Sequence, residues 1–235
     1  MTQKTHTALV IGTGGIAQAM VNHLRLQDES LEVIMLGRST QPSLDFDDET
    51  SLVAAAQFVQ AHCLASGLPI KLIFIATGYL HTNGIGPERS LTSLDATYLQ
   101  RVLHVNVIGP ALVLKHFSPL LPRTGEVKIA MLTAKVGSIS DNALGGWYGY
   151  RAAKAGLNQL VKTAAIELSR KNKAIACVAL HPGTVATALS EPFSKNYPNV
   201  RPAAQAAAEL HRVITQITPE QTGGFFDYEG NALPW

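Results

Sequence analysis

Short, almost wholly apolar runs alternate with amphipathic stretches from one end of this chain to the other, and that alternation leaves few folds open. The apolar runs fall at 7–11, 31–36, 70–76, 127–133, 174–180 and 224–227 and are rich in Val, Ile and Leu. Runs this short, without polar alternation, mark strands covered on both faces. The stretches between them, at 16–26, 49–66, 94–116, 147–171 and 202–215, read as helices. Parallel neighbours need crossover helices, so the expected class is α/β: a doubly wound parallel sheet in one domain spanning 1–235. Between residues 36 and 49 there is room for a short strand near 43–45 but not for a full helix before it. Counting that strand gives about seven, with the expected order 3-2-1-4-5-6-7 and ligands bound at the C-terminal edge of the sheet.

Composition narrows the class further. An apolar fraction of 46% with 15% charged residues suits a packed core and leaves too little charge for disorder. A net charge of +2 without any basic run gives no footprint for nucleic acid. Cys63 and Cys177 are lone cysteines inside apolar segments, expected as buried thiols in a reducing compartment. The first residues, MTQKTHTALVIG, do not resemble a signal peptide, and no apolar run approaches the roughly 18 residues of a membrane span. The expectation is a soluble cytoplasmic protein.

The segment ALVIGTGGIAQAM reads as strand, glycine turn and helix, and Gly12-x-Gly14-x-x-Ala17 fits the dinucleotide fingerprint in its required setting. Gly12 allows a tight turn, Gly14 leaves no Cβ in the path of a pyrophosphate, and Ala17 lets the helix approach the sheet. The helix start at Gly15 and Ile16 offers free N–H groups and partial positive charge to phosphate. After the second strand, where an acid would hold the ribose hydroxyls of NAD, stands Gly37-Arg38-Ser39. An arginine there suits a 2′-phosphate, so NADP is favoured over NAD, although an exposed loop arginine is the simpler reading of Arg38 alone.

In WYGYRAAKAG, Tyr150 and Lys154 stand four residues apart and share a helix face, whereas Tyr148 plus four is Ala152. A phenol with a pKa near 10 exchanges protons poorly at neutrality unless a cation stabilises its anion. Lys154 is placed to do so, which suggests proton exchange at a hydroxyl or carbonyl oxygen while hydride moves to or from a nicotinamide. Taken alone, a Tyr and a Lys on one helix face are more commonly a packing residue and a solvated charge.

The glycine turn, YRAAK and HPGTVAT together closely resemble the short-chain dehydrogenase/reductase family. GSISDNALGGWYGYRAAKAGLN and the closing GGFFDYEGNALPW look most like its C-factor-like branch. The resemblance runs over nearly the whole chain and implies a single Rossmann domain using NAD or NADP with a Tyr–Lys pair. It implies Tyr150 as acid/base, Lys154 as the residue that lowers its pKa and holds the nicotinamide ribose, and Asn106 as the asparagine that bends a long helix and supports a water. It implies Asp45 beside the adenine, with a helix N-cap as the rival reading. It also implies Pro182, Gly183, Val185 and Thr187 around the nicotinamide. A homodimer or homotetramer, assembled through the helices at 94–116 and 147–171, follows from the same resemblance.

The departures are equally informative. The glycine turn is one residue short of the family pattern, and the usual N-N-A-G is here Ile75-Ala76-Thr77-Gly78, which leaves Ala76 and Gly78 to line the adenosine side. The serine that usually polarises the substrate oxygen has Ala134 at its position. Of the nearby hydroxyls, Ser138 is favoured over Thr133, because twelve residues before Tyr150 suits a hydrogen-bonding partner of the phenol. No histidine or cysteine spacing suggests a metal; His181 stands at a strand end beside the site. The segment near 188–201 is expected to cover the substrate, with Phe193 and Tyr197 giving apolar contacts. The expected activity is NADP(H)-dependent oxidoreduction of a small alcohol/carbonyl substrate; a dinucleotide-binding sensor or signalling protein without turnover is the alternative.

Overall fold

The computed structural model describes residues 3–82, 84–194 and 199–235. Six parallel strands form one sheet: β1 (His6–Ile11), β2 (Leu31–Leu36), β3 (Ile70–Ile75), β4 (Val127–Leu132), β5 (Ile175–His181) and β6 (Phe225–Asp227). Their order is β2-β1-β3-β4-β5-β6. The helices are α1 (Gly15–Gln27), α2 (Glu49–Ser66), α3 (Ala96–Leu103), α4 (Gly109–Phe117), α5 (Tyr148–Lys171), the single turn α6 (Glu191–Ser194) and α7 (Ala203–Gln216). Among the described residues, no helix is long and apolar enough to cross a membrane.

The all-apolar strands follow from two cores. Ala8, Val10, Phe74, Ala130 and Val178 face one side, packed with Met20, Leu24, Leu210 and Val213 of α1 and α7. Leu9, Ile11, Ile73, Ile129 and Cys177 face the other, packed with Leu52, Val59, Val113, Phe117, Leu157 and Val161 of α2, α4 and α5. Successive strand residues point to opposite faces, so helices on both faces require an apolar residue at nearly every covered position. The strand ends then lie along one edge, and the loops leaving that edge build the site.

Two local expectations are corrected. The seventh strand, expected near 43–45, does not form, so the sheet has six strands. Pro42 has no N–H to give a ladder, and the Leu44 N–H donates to the Gly37 carbonyl. Ser51 occupies both backbone groups of Asp45: its Oγ accepts the Asp45 N–H at 2.8 Å and donates to the Asp45 carbonyl at 3.0 Å. The order of the remaining strands is the expected one with that edge strand removed.

The helix expected over 94–116 is interrupted by a π turn at His104–Ile108 between α3 and α4. Asn106, fully buried within it, donates from Nδ2 to the Val102 carbonyl at 2.9 Å. That carbonyl lies four residues back, where a backbone N–H would ordinarily reach. A side-chain donor there lets the backbone slip to the wider turn.

Candidate active site

Three neighbouring cavities form a trough along the C-terminal edge of the sheet. The first, about 310 Å³, runs from Arg38, Asp45 and Arg101 past Gly12 and Gly14 to Ala76, Thr77 and Gly78. The second continues from Gly14, Gly15 and Ala76 to Tyr150, Lys154, Pro182 and Thr187. The third, about 400 Å³, shares Ile16, Thr133, Tyr150, Pro182 and Thr187 with the second and opens among Trp147, Val185, Leu189 and Phe193. The trough exists because the chain leaves each strand at this edge, so the first residues past β1, β2, β3, β4 and β5 all line it.

At its centre the glycine turn has the geometry that close approach demands. Gly12 takes φ +120°, and a Cβ there would lie 3.2 Å from the Ala76 backbone. Gly14 is the N-cap of α1 with φ −75°, and a Cβ there would meet nothing within 4 Å, so the space before the helix is open. No side chain caps the first turn of α1 and no acidic residue lies in it, leaving its N–H groups and positive end facing the trough. Beside them the buried Thr77 Oγ1 has no hydrogen-bond partner among the described residues. An open cradle, unsatisfied donors and an orphaned hydroxyl fit the diphosphate of a dinucleotide.

At the far end Arg38 is exposed and makes no ion pair among the described residues. Arg101, which the sequence did not single out, lines the same cavity and donates from Nη1 to Asp47 Oδ1 at 2.5 Å. Nothing in the spacing of Arg101 could have announced it, because the loop at 43–48 alone brings it near. Asp45 lines the cavity, and its Oδ1 accepts the Asp47 N–H at 3.1 Å. The N-cap of α2 is Asp48, whose carboxylate accepts from Thr50 N at 3.0 Å, so the rival role for Asp45 falls away.

Tyr150 lies in the first turn of α5, is 7% exposed, and lines both the second and third cavities. Lys154, one turn on and 2% exposed, donates from Nζ to the Leu132 carbonyl at 3.0 Å and sits 5.6 Å from the centre of the Tyr150 ring. Burial pushes the Tyr150 phenol up from its ordinary value and pulls the Lys154 ammonium down to about 7. In the protein alone, desolvation therefore outweighs the stabilisation of a phenolate that the spacing suggested. The phenol is kept protonated and the ammonium is poised to lose its proton near neutrality, so the balance depends on charge brought into the cleft.

Asn106 does not line the trough. Its Oδ1 accepts the Tyr79 N–H at 3.2 Å and its Nδ2 donates to the Tyr79 carbonyl at 2.8 Å. The π turn thus clamps the loop that follows Gly78 against the trough. Ser138 does not line any of the three cavities: it is buried, and its Oγ accepts the Asp141 N–H at 3.2 Å. Thr133, one residue past β4, lines the second and third cavities beside Tyr150, with Oγ1 at 3.4 Å from the Lys154 carbonyl. Of the expected covering segment, Leu189 and Phe193 line the third cavity, whereas Tyr197 lies outside the described residues. The described residues hold no group of three or more potential metal ligands.

A family model described as Enoyl-(Acyl carrier protein) reductase matches residues 44–225. Among curated proteins, the chain is 30% identical over 239 residues to 1-hydroxy-2-glutathionyl-2-methyl-3-butene dehydrogenase of Rhodococcus sp. (strain AD45), covering 97% of this chain and 99% of that protein. It is 33% identical over 146 residues to C-signal of Myxococcus xanthus, covering 62% of this chain and 84% of that protein. Among solved structures, NADPH-bound carbonyl reductase from chicken fatty liver superposes with a TM-score of 0.84 at 22% identity, covering 100% of this chain and 96% of that chain.

Proposed function

The chain belongs to the short-chain dehydrogenase/reductase family of oxidoreductases, and from that premise we propose that it transfers hydride between NADP(H) and an alcohol/carbonyl substrate with Tyr150 as acid/base. The observation that carries the reading is the position of Tyr150. Its buried phenol stands where the glycine-turn trough meets an apolar cavity, with Lys154 one helical turn behind it.

The residues divide the work by position. Gly12, Gly14, Gly15, Ile16, Ala76, Thr77 and Gly78 would hold the adenosine and diphosphate, with Asp45 at the adenine. Pro182, Val185, Thr187 and Lys154 would hold the nicotinamide end. When bound, the nicotinamide supplies or accepts the hydride and, once oxidised, carries a positive charge. NADP rather than NAD is supported by Arg38, a permanent cation lining the adenosine end that makes no ion pair among the described residues. The NADPH named for the chicken reductase agrees with that preference.

A phenol kept protonated by burial is the form that carbonyl reduction needs, because its proton passes to the substrate oxygen as hydride reaches the carbon. Lys154, in its charged form, stabilises the phenolate left behind and, through Leu132, keeps its ammonium fixed beside the ring. We assign the hydroxyl that hydrogen-bonds the substrate oxygen to Thr133 rather than Ser138, since Thr133 lines the cavity that Tyr150 lines. Asn106 acts at one remove, by clamping Tyr79 and the turn of chain beside it.

Two observations favour the reading without turnover: alanine stands at position 134, where the family's serine is expected, and the C-signal resemblance covers 62% of the chain. The same experiment separates the two. Purified protein is mixed with NADPH and a panel of aldehydes and ketones, and absorbance at the nicotinamide band is followed. Wild type should consume NADPH and Tyr150→Phe should lose on the order of a hundredfold or more in kcat. Equal rates for the two proteins would end the catalytic reading.

A further inference from the structure

The chain enters α5 through Leu144-Gly145-Gly146-Trp147, and the last three residues take φ of +63°, +64° and +55°. Two glycines adopt the left-handed region freely, but a tryptophan there is strained, so something must hold it. Two residues do so. The Trp147 N–H donates to the Glu88 carbonyl at 2.5 Å, and the buried Glu88 carboxylate accepts the Gly149 N–H at 3.1 Å. The Arg151 guanidinium donates to the carbonyls of Gly145, Gly146 and Val136 at 3.0–3.3 Å. Strain that persists under so many restraints marks a position fixed for use.

The result is to turn the Trp147 ring into the third cavity. It lies edge-on to Tyr150 at 6.1 Å and to Phe193 at 5.2 Å, and Phe193 in turn meets His81 at 5.5 Å. Rings therefore extend from the proton donor to the mouth, where Leu144 is 92% exposed.

The charged side chains lining this cavity are already answered. Lys135 pairs with Asp141 at 3.6 Å, and Arg151 is engaged with backbone carbonyls. Burial, aided by Arg201, holds His181 neutral, its pKa pulled down to about 4. An ionic substrate would find no free counter-charge among the described residues, whereas an apolar one would displace water from aromatic faces.

We propose that Trp147 is the specificity-determining residue of this site and that it selects uncharged carbonyl compounds bearing an aromatic group beside the carbonyl. The inference rests on the oxidoreductase reading, but the second arm of its test does not depend on turnover. The first arm measures kcat/KM with NADPH for acetophenone, 2-butanone and pyruvate in wild type, Trp147→Phe and Trp147→Ala. The ratio of acetophenone to 2-butanone should fall on the order of 10-fold or more in Trp147→Ala and be largely restored in Trp147→Phe. NADPH fluorescence in each variant reports an intact fold.

The second arm uses a Trp235→Phe background, which leaves Trp147 as the single tryptophan. With NADP present, acetophenone should quench its emission and pyruvate should not. An unchanged ratio in active Trp147→Ala, or a preference for pyruvate in either arm, overturns the proposal. Quenching by acetophenone without turnover of any ketone would sustain the recognition site and remove the oxidoreductase reading instead.

Discussion

Replacing Lys154 by methionine tests the electrostatics of the site without a substrate. The ammonium is 2% exposed and its pKa is lowered by burial from 10.5 to about 7. Between those two values the unfolded chain holds a proton that the folded chain has released, so this group makes stability rise with pH across that window. Below pH 7 both states are protonated and the full penalty is present, about 5 kcal/mol at about 1.4 kcal/mol per unit. At pH 9.5 only about 1 kcal/mol of it remains. Methionine fills a similar volume and removes the titration, while leaving the Leu132 carbonyl without its donor at a pH-independent cost of about 1 kcal/mol.

Lys154→Met should therefore be more stable than wild type by about 3 kcal/mol at pH 7, and the two should agree within about 1 kcal/mol at pH 9.5. The assay is urea unfolding of both proteins at matched concentration, followed by circular dichroism from pH 6.5 to 9.5. If the gap between the curves is the same at every pH, Lys154 carries its charge at neutrality in the folded protein. Burial would then not govern the pair, and the phenol would already have its cation.

Three further perturbations address the trough. Gly14→Ala should leave thermal stability within about 2 °C, since a Cβ there meets nothing, yet weaken NADPH binding by at least about 10-fold in a fluorescence titration; unchanged affinity would mean that the diphosphate lies elsewhere. Arg38→Ala should raise the Kd for NADPH roughly 10- to 100-fold and leave that for NADH nearly as it was. An equal change in both constants would remove the basis for NADP. Thr133→Val should lower kcat/KM by about 100-fold with a carbonyl substrate, and Ser138→Ala by less than about 3-fold. The reverse order would return the oxygen-binding role to Ser138.

The fold was legible because its determinant is a pattern, not a residue. Strands sandwiched between the two cores must be apolar at nearly every covered position, and Ala8 to Ile11 or Leu72 to Ile75 could not have served another architecture as well. The segment at 43–45 misled for the complementary reason. With three residues there is no pattern, and what decides is whether the backbone groups are free; those of Asp45 are taken by the Ser51 hydroxyl. The bend at Asn106 was expected from the family resemblance alone, and the structure supplies its physical reason: the buried amide donates to the carbonyl four residues back and competes with the helix ladder.

The candidate site divides along the same line. Residues that follow a strand directly reach the cleft by construction, because the sheet edge fixes them, and so Gly12 could be placed from the pattern of the sequence and Ala76 and Pro182 from the family resemblance. Thr133 belongs with them, one residue past β4. Ser138 was ranked above it on its distance in sequence from Tyr150, but that distance crosses a loop. The turn at Lys135–Gly137 delivers Ser138 to the Asp141 N–H, and Ser138 lines none of the three cavities. A separation in sequence carries spatial meaning within a helix, as for Tyr150 and Lys154, where 3.6 residues per turn fix it. It carries none across a turn whose φ angles are unknown, and Trp147 escaped notice on the same ground: its sense of approach to the cavity is set by three left-handed residues that composition does not announce. Where a residue's distance from a regular element is zero or one, its placement is a property of the element, and so Thr133 lines the cavities that Tyr150 lines; beyond that it belongs to the loop's own hydrogen bonds, which occupy the Ser138 hydroxyl with the Asp141 N–H.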